Sequence, residues 1–169
     1  MDEKSLWYVK RVNADEYEEI VTDRAVFFNE PVFTELNSDK ADEVYYLILM
    51  RENSARFGLI AGKVGTEFRT PFSAPYSYPV SIIDDSKQET IDAALETFEE
   101  YCADQGGESI RFIFPPLFYD EHLLSGWVSA FYRQGYQVIN LDVNYALNLD
   151  KLNLDEEDYG QLITQKGRK

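Results

Sequence analysis

The sequence has 169 residues, of which 44% are hydrophobic and 15% aromatic, and its formal net charge is −15 at pH 7. This length and apolar content suit one folded domain with a substantial core, and they exclude an intrinsically disordered chain. The negative charge disfavours nucleic acid and anionic membranes as partners, because both are themselves negatively charged.

The chain has one cysteine, Cys102, and one histidine, His122. These cannot build a disulfide framework, a thiolate metal cluster or a zinc site. The N-terminus lacks an apolar run of signal-peptide length, and no segment approaches the ~20 apolar residues that span a bilayer. We therefore predict a cytoplasmic protein that binds no metal, no membrane and no nucleic acid.

The first part of the chain predicts one strand followed by two short helices. Leu6–Val12 is rich in aromatic and β-branched residues, which is typical of a strand. Asn13 is placed to cap an acidic helix, and a second short helix starts near Pro31.

A three-strand meander follows. Val44–Met50 and Arg56–Val64 are apolar at nearly every position, which favours strands buried on both faces. A third strand at 66–69 leads into the loop FRTPFSAPYSYP at 68–79.

The second half of the chain predicts a long helix, a strand, a helix and a last strand. Ser86 and Glu89 have the spacing of a capping box, and the long helix carries Cys102 on its apolar stripe before Gly106. Three elements follow: a strand at Ser109–Phe114, a helix from Asp120 to Gly135, and an alternating strand at Ile139–Leu149. The pattern predicts a single α/β domain with a mixed sheet over residues 1–150, and a linker or terminal helix at 151–169.

The sequence AFYRQGYQVI at Ala130–Ile139 joins a helix to a strand through an aromatic-Tyr-x-x-Gly-aromatic turn. This motif, with the order of elements, resembles the GNAT (acetyltransferase-like) superfamily and implies an acyl-CoA N-acyltransferase fold. The resemblance places Tyr132 where many members have the tyrosine that protonates the departing coenzyme A thiolate. Phe131 and Tyr132 are equally typical of ordinary helix residues before a glycine cap.

The segments TPFSAPYSYP at 70–79 and PPLFYD at Pro115–Asp120 form a second motif. Together they resemble the N-terminal half of two-part GNAT proteins related to the Fem-type aminoacyl and acyl transferases. The resemblance covers Leu6 to Leu149, and it implies a second GNAT-like half as a partner.

The sequence departs from the family pattern at the cofactor site. GNAT enzymes bind the coenzyme A diphosphate on an Arg/Gln-x-x-Gly-x-Gly/Ala loop that enters a helix. Arg69–Ala74 is the nearest stretch here; Phe72 replaces the central glycine, and Pro71 removes an amide donor. We therefore expect this chain alone to bind no cofactor, and acyl-CoA to be the cofactor if the domain is active.

Two functions remain open. In the first, the chain is half of a transferase with Tyr132 as the proton donor, Arg69 as an anion anchor and a cleft that binds the acceptor. The predicted lining of this cleft is Phe72, Ser73, Tyr76, Tyr78, Tyr119 and His122.

In the second, the chain is a non-catalytic docking or dimerising module, with a homodimer as one possibility. For the loop itself, a rigid lid on the core is the alternative to one wall of a cleft. The polar side of the last strand and the basic tail KGRK are then the contact surfaces.

Overall fold

The computed structural model describes residues 6–21, 27–84 and 87–144. Two compact units divide the chain, residues 1–137 and 138–169. The described residues of the first unit contain a mixed sheet and four α-helices, which confirms the predicted α/β class.

From the first strand to the last described helix the elements follow the predicted order, with one short additional strand at Val80–Ser81. The strands are β1 (Trp7–Val12), β2 (Glu43–Arg51), β3 (Ser54–Val64), β4 (Glu67–Thr70), β5 (Val80–Ser81) and β6 (Ser109–Phe112). The α-helices are α1 (Ala14–Val21), α2 (Pro31–Glu35), α3 (Gln88–Asp104) and α4 (Glu121–Arg133). Short 3-10 helices lie at Phe27–Asn29, Ser38–Lys40 and Leu117–Tyr119.

The sheet has the order β1-β2-β3-β4-β6, and β5 pairs with β3. All pairs are antiparallel except β4 and β6, which run parallel with Phe68 opposite Ile110. A parallel pair needs a crossover, and α3 lies on the connection between these two strands.

Both faces of β2 and β3 are buried, as their apolar runs predict. Leu47 and Leu59 pack on one side with α3 and α4, whereas Ile48 and Ile60 pack on the other side with α1. The two sides form separate hydrophobic clusters, so the sheet lies between helical layers.

Most predicted helix ends are confirmed. The Asn13 side chain accepts a hydrogen bond from Glu16 N at 2.9 Å, and Asp120 accepts one from Leu123 N at 3.0 Å. After α3 and α4 the chain turns through Gly106 (φ +72°) and Gly135 (φ +83°), a left-handed backbone that glycine adopts without strain.

Some predictions of the elements were wrong. The strand predicted at Ser109–Phe114 ends at Phe112. α3 begins at Gln88 with Lys87 in the N-cap position and no side-chain cap, one residue later than predicted; Ser86 lies outside the described residues. Residues 139–144 form no strand, although their alternation predicts one, and the rest of that segment, 145–149, lies outside the described residues. None of the described helices has the length and apolarity needed to cross a bilayer.

Candidate functional site

The proline loop, residues 71–79, runs from the end of β4 to β5 and is fixed to the end of β6. Ser77 N donates to Ile113 O at 2.9 Å, and Ile113 N donates to Thr70 O at 2.9 Å. The loop and the segment after β6 therefore meet at one edge of the sheet, where the sequence placed both motifs. The Thr70–Pro71 peptide bond is cis.

A row of aromatic rings crosses this edge. Its members are Phe27, Phe28, Phe33, Tyr76, Phe118 and Tyr119, and we call them the aromatic row. Tyr76 lies at its centre, with ring centroids 5.1 Å from Phe28 and 5.2 Å from Tyr119. The structure thus brings together two of the predicted substrate-binding residues, Tyr76 and Tyr119.

The side chains of Tyr76 and Tyr119 form a hydrogen bond. A hydrogen bond with the Tyr119 side chain, assisted by burial, raises the pKa of Tyr76 to about 12. Tyr119 itself is 52% exposed, so the outer end of the row faces solvent. These two hydroxyls are the polar groups that the aromatic row offers to a ligand.

Tyr78 lies on the inner side of the loop. It is 6% exposed and belongs to the core that α3 and α4 cover. Its carbonyl accepts a hydrogen bond from Asn29 Nδ2 at 2.8 Å, and Ser77 Oγ donates to Asn29 Oδ1. Asn29 is fully buried and links the loop to the segment before α2.

Phe72 packs its ring directly against β3. An added Cβ at Gly62 would lie 2.4 Å from Phe72 Cγ, so only glycine leaves room for the ring there. The adjacent cavity, lined by Phe28, Phe33, Ile60, Pro71, Phe72 and Ser77, holds about 10 Å³. That is roughly the space of one water molecule, ~10–15 Å³, and far below the volume of a cofactor.

Ser73 takes part in a small polar cluster at the outer rim of this cavity. Its hydroxyl accepts from Lys40 Nζ at 2.9 Å and donates to Asn37 Oδ1 at 3.1 Å. Lys40 also donates to Asn37 Oδ1 at 2.7 Å. The loop is therefore anchored on both its buried and its exposed side.

Arg69 lies on β4 and forms an ion pair with Glu67 through Nε. The carboxylate offsets part of the guanidinium charge, so an anion bound there must compete with Glu67. Arg69 opposes Gly62 in the β3–β4 register, one strand residue before the loop begins.

Tyr132 and His122 lie on α4. Tyr132 is 80% exposed, whereas its neighbour Phe131 is buried and packs against Phe112 at 4.6 Å between ring centroids. His122 borders an open surface groove with Lys87, Ser125, Gly126 and Ser129. The structure therefore places the predicted proton donor and the histidine on α4 itself, outside the aromatic row.

Several residues of the aromatic row were not predicted as site residues from the sequence. Phe27, Phe28 and Phe33 surround the predicted start of α2, and Phe118 precedes Tyr119. Rings near a helix start are usually part of a core, and only their tertiary contacts place them in the same row as Tyr76.

No model of a known protein family matches this sequence, and no curated protein matches it. Among solved structures, it is similar to an aminoglycoside acetyltransferase from an uncultured soil metagenomic sample in complex with sisomicin. This chain and the acetyltransferase are 10% identical in sequence. The match covers 87% of this chain and 100% of the acetyltransferase chain, and the TM-score is 0.45.

A second structure of that acetyltransferase, in complex with trehalose, matches at 12% identity. It covers 85% of this chain and 98% of that chain with a TM-score of 0.43.

Proposed function

We propose that this chain is a GNAT-like domain of a two-part acyl or aminoacyl transferase, in which another half supplies the acyl-CoA site. The order of elements and the two motifs that resemble the superfamily support the transferase class. The observation that supports this division between the two halves is the packing of Phe72 on Gly62, within the stretch that the resemblance aligns with the phosphate-binding loop.

A diphosphate needs backbone amides that it can approach and a helix N-terminus that points at it. Pro71 has no amide hydrogen, and the Phe72 ring covers the strand beneath. α3 starts only at Gln88, after β5, so no helix continues directly from the loop. The net charge of −15 opposes an anionic cofactor further.

In this proposal the aromatic row forms one wall of the acceptor cleft. Tyr76 and Tyr119 supply stacking surfaces and two hydroxyls, which suit an acceptor with both apolar and hydrogen-bonding parts. Tyr132 acts as the proton donor once the second half covers it, because its side chain is 80% exposed here and the reaction needs a site from which water is excluded.

The direct test is calorimetric titration of the purified chain with acetyl-CoA, with a known acetyltransferase as the positive control. We expect no saturable heat up to millimolar ligand, and no shift of the melting temperature. Saturable binding at micromolar concentration would refute the proposed division between the two halves.

A second candidate, a non-catalytic docking or dimerising module, is favoured by one observation. Leu117, Phe118 and Tyr119 are each about half exposed, at 50%, 50% and 52%, in consecutive positions. Exposed apolar clusters often mark protein contacts. The coding sequence beyond Lys169 separates the candidates: a second half with an Arg/Gln-x-x-Gly-x-Gly/Ala loop supports the transferase, and its absence supports the module.

A further inference from the structure

Two arginines lie side by side on the parallel pair β4 and β6. The register of this pair sets Arg69 opposite Arg111. Phe68 and Ile110, which precede them, both pack on the core that α3 and α4 cover. Because successive side chains of a strand point to opposite faces, Arg69 and Arg111 share the other face of the sheet. Paired strands are only ~4.8 Å apart, so the two side chains start from adjacent points of that face.

Both arginines keep hydrogen-bond donors for a ligand. Arg69 forms its ion pair with Glu67 through Nε, so its two Nη groups remain available among the described residues. Arg111 is exposed, and no described residue forms an ion pair or a hydrogen bond with its guanidinium. The carboxylate that precedes β6, Glu108, accepts a hydrogen bond from Thr66 Oγ1 at 3.0 Å.

The two arginines carry more positive charge than their surroundings balance. Like charges opposite each other on paired strands destabilise a sheet. Glu67 neutralises one guanidinium, so the group of Glu67, Arg69 and Arg111 retains one positive charge in a chain whose net charge is −15. An anion that binds both guanidinium groups removes this repulsion and gains charge-assisted hydrogen bonds.

The surroundings of the two arginines leave room for a ligand on one side. Gly62 is the partner of Arg69 on β3, and the Phe72 ring covers that glycine on the same face. On the other strand, Ser109 and Arg111 are both exposed. An apolar wall therefore bounds the two arginines on the side of β3, and the side of β6 is accessible.

We propose that Arg69 and Arg111 together bind a carboxylate group of a small-molecule ligand, beside the Phe72 ring. The planar guanidinium fork matches the two oxygens of a carboxylate. One negative charge balances the one positive charge that Glu67 leaves, whereas a phosphate monoester carries nearly two. Arg111 was not predicted as a site residue from the sequence, and it supplies the second guanidinium. The inference concerns binding alone and does not depend on transferase activity.

The first test is an NMR titration of the 169-residue chain, observed through its arginine Nε–H signals. The probe is hippurate, and its neutral amide, hippuramide, is the matched control at the same ionic strength. We expect the signals of Arg69 and Arg111 to move saturably with hippurate and to stay in place with hippuramide. The absence of a saturable shift at tens of millimolar hippurate overturns the proposal.

Arg111→Gln should weaken hippurate binding about 10-fold or more, because it removes charge-assisted hydrogen bonds. Arg133→Gln is the matched control, since it removes the same charge from α4, on the opposite side of the sheet, and should leave the affinity unchanged. Backbone amide spectra of both variants check the fold. Equal losses of affinity in the two variants would mean that only net charge acts, and would overturn the proposal.

The same titration distinguishes two other occupants. Phenyl phosphate should bind more weakly than hippurate, and tighter binding overturns the choice of a carboxylate. The chain's own carboxylates at 155–158 lie outside the described residues, and they are changed together as Asp155→Asn, Glu156→Gln, Glu157→Gln and Asp158→Asn. The ligand-free signals of Arg69 and Arg111 should be the same in this variant; a displacement of both would show that the chain's own acids occupy the arginines, and would overturn the proposal.

Discussion

Phe72 lies on the backbone of Gly62, so close that a methyl group at position 62 would meet the root of the Phe72 side chain at 2.4–2.6 Å. The ring cannot yield by rotating its tip, because Cβ and Cγ are the atoms in the way. This contact packs the proline loop onto β3, next to the cavity of about 10 Å³.

We expect Gly62→Ala to lower the free energy of unfolding by ~1–3 kcal/mol, the usual cost of overpacking. Phe72→Ala alone should also destabilise, because it removes a ring that packs on the cluster beneath α1. In the double variant Cγ and the rest of the ring are gone and only the contact with the Cβ of residue 72 remains, so the loss should be smaller than the sum of the two single losses. Urea denaturation of the four proteins measures this, and strictly additive losses would show that the two positions do not touch.

Asn29→Ala should lower the free energy of unfolding by ~1–3 kcal/mol, because it leaves buried partners without hydrogen bonds. Asn29 is fully buried and bonds to both Ser77 and the Tyr78 carbonyl. Asn37→Ala is the matched control, since Asn37 forms its bonds at the partly exposed rim and its loss should be smaller. Equal losses in thermal or urea unfolding would contradict the anchoring role of Asn29.

Stability should fall as the pH rises from 10 to 12, in part because of Tyr76. Its pKa is raised in the folded state to about 12 by the Tyr119 hydrogen bond. A raised pKa stabilises the fold fully below the unfolded value near 10, and this contribution is lost as the pH approaches the folded value. Tyr76→Phe should therefore show a smaller drop in melting temperature over this interval.

Tyr132→Phe is the control for that experiment, because it removes one phenol hydroxyl that lies outside the aromatic row, on an 80% exposed side chain. If Tyr76→Phe and the unchanged protein show the same fall in melting temperature with pH, the Tyr76–Tyr119 hydrogen bond does not contribute to stability.

Tyr132→Phe should slow acyl transfer by ~10²–10⁴-fold when the chain is assayed with its second half, the usual loss on removing a general acid. The fold should be unaffected, since the side chain is exposed. His122→Ala, on the same helix, should retain activity. Stopped-flow measurement of thiol release gives both rates; an unchanged rate for Tyr132→Phe would remove this residue from the mechanism.

Cys102 should resist thiol reagents in the folded protein. It is 1% exposed on α3, and burial raises the pKa of its thiol well above the usual value. We expect no reaction with Ellman's reagent at pH 8 until denaturant is added, whereas the exposed thiol of Arg111→Cys reacts within minutes. Rapid labelling of the native chain would mean that α3 opens easily.

Local sequence signals predicted most of the fold. The apolar runs of β2 and β3, the Asn13 and Asp120 caps and the glycine ends of α3 and α4 each depend on a few neighbouring residues. The start of α3 was misplaced by one residue because a capping-box spacing is necessary for that motif but does not ensure it.

The candidate site was harder to predict because it depends on contacts between distant segments. The pairing of Tyr76 with Tyr119 followed from two motifs at one sheet edge, but the addition of Phe28 and Phe33 depends on how α2 packs. The strand prediction at 139–144 failed because alternation records what a segment can bury and does not specify which sheet receives it.

The parallel pairing of β4 and β6 sets an order for folding. β2, β3 and β4 join their neighbours through short turns, so their contacts form early. Phe68 meets Ile110 only after the loop and α3 have been brought back across the sheet. We expect the meander to collapse first, with β6 and α4 docking last. Mutations in the late-docking part should then chiefly accelerate unfolding and leave the refolding rate nearly unchanged.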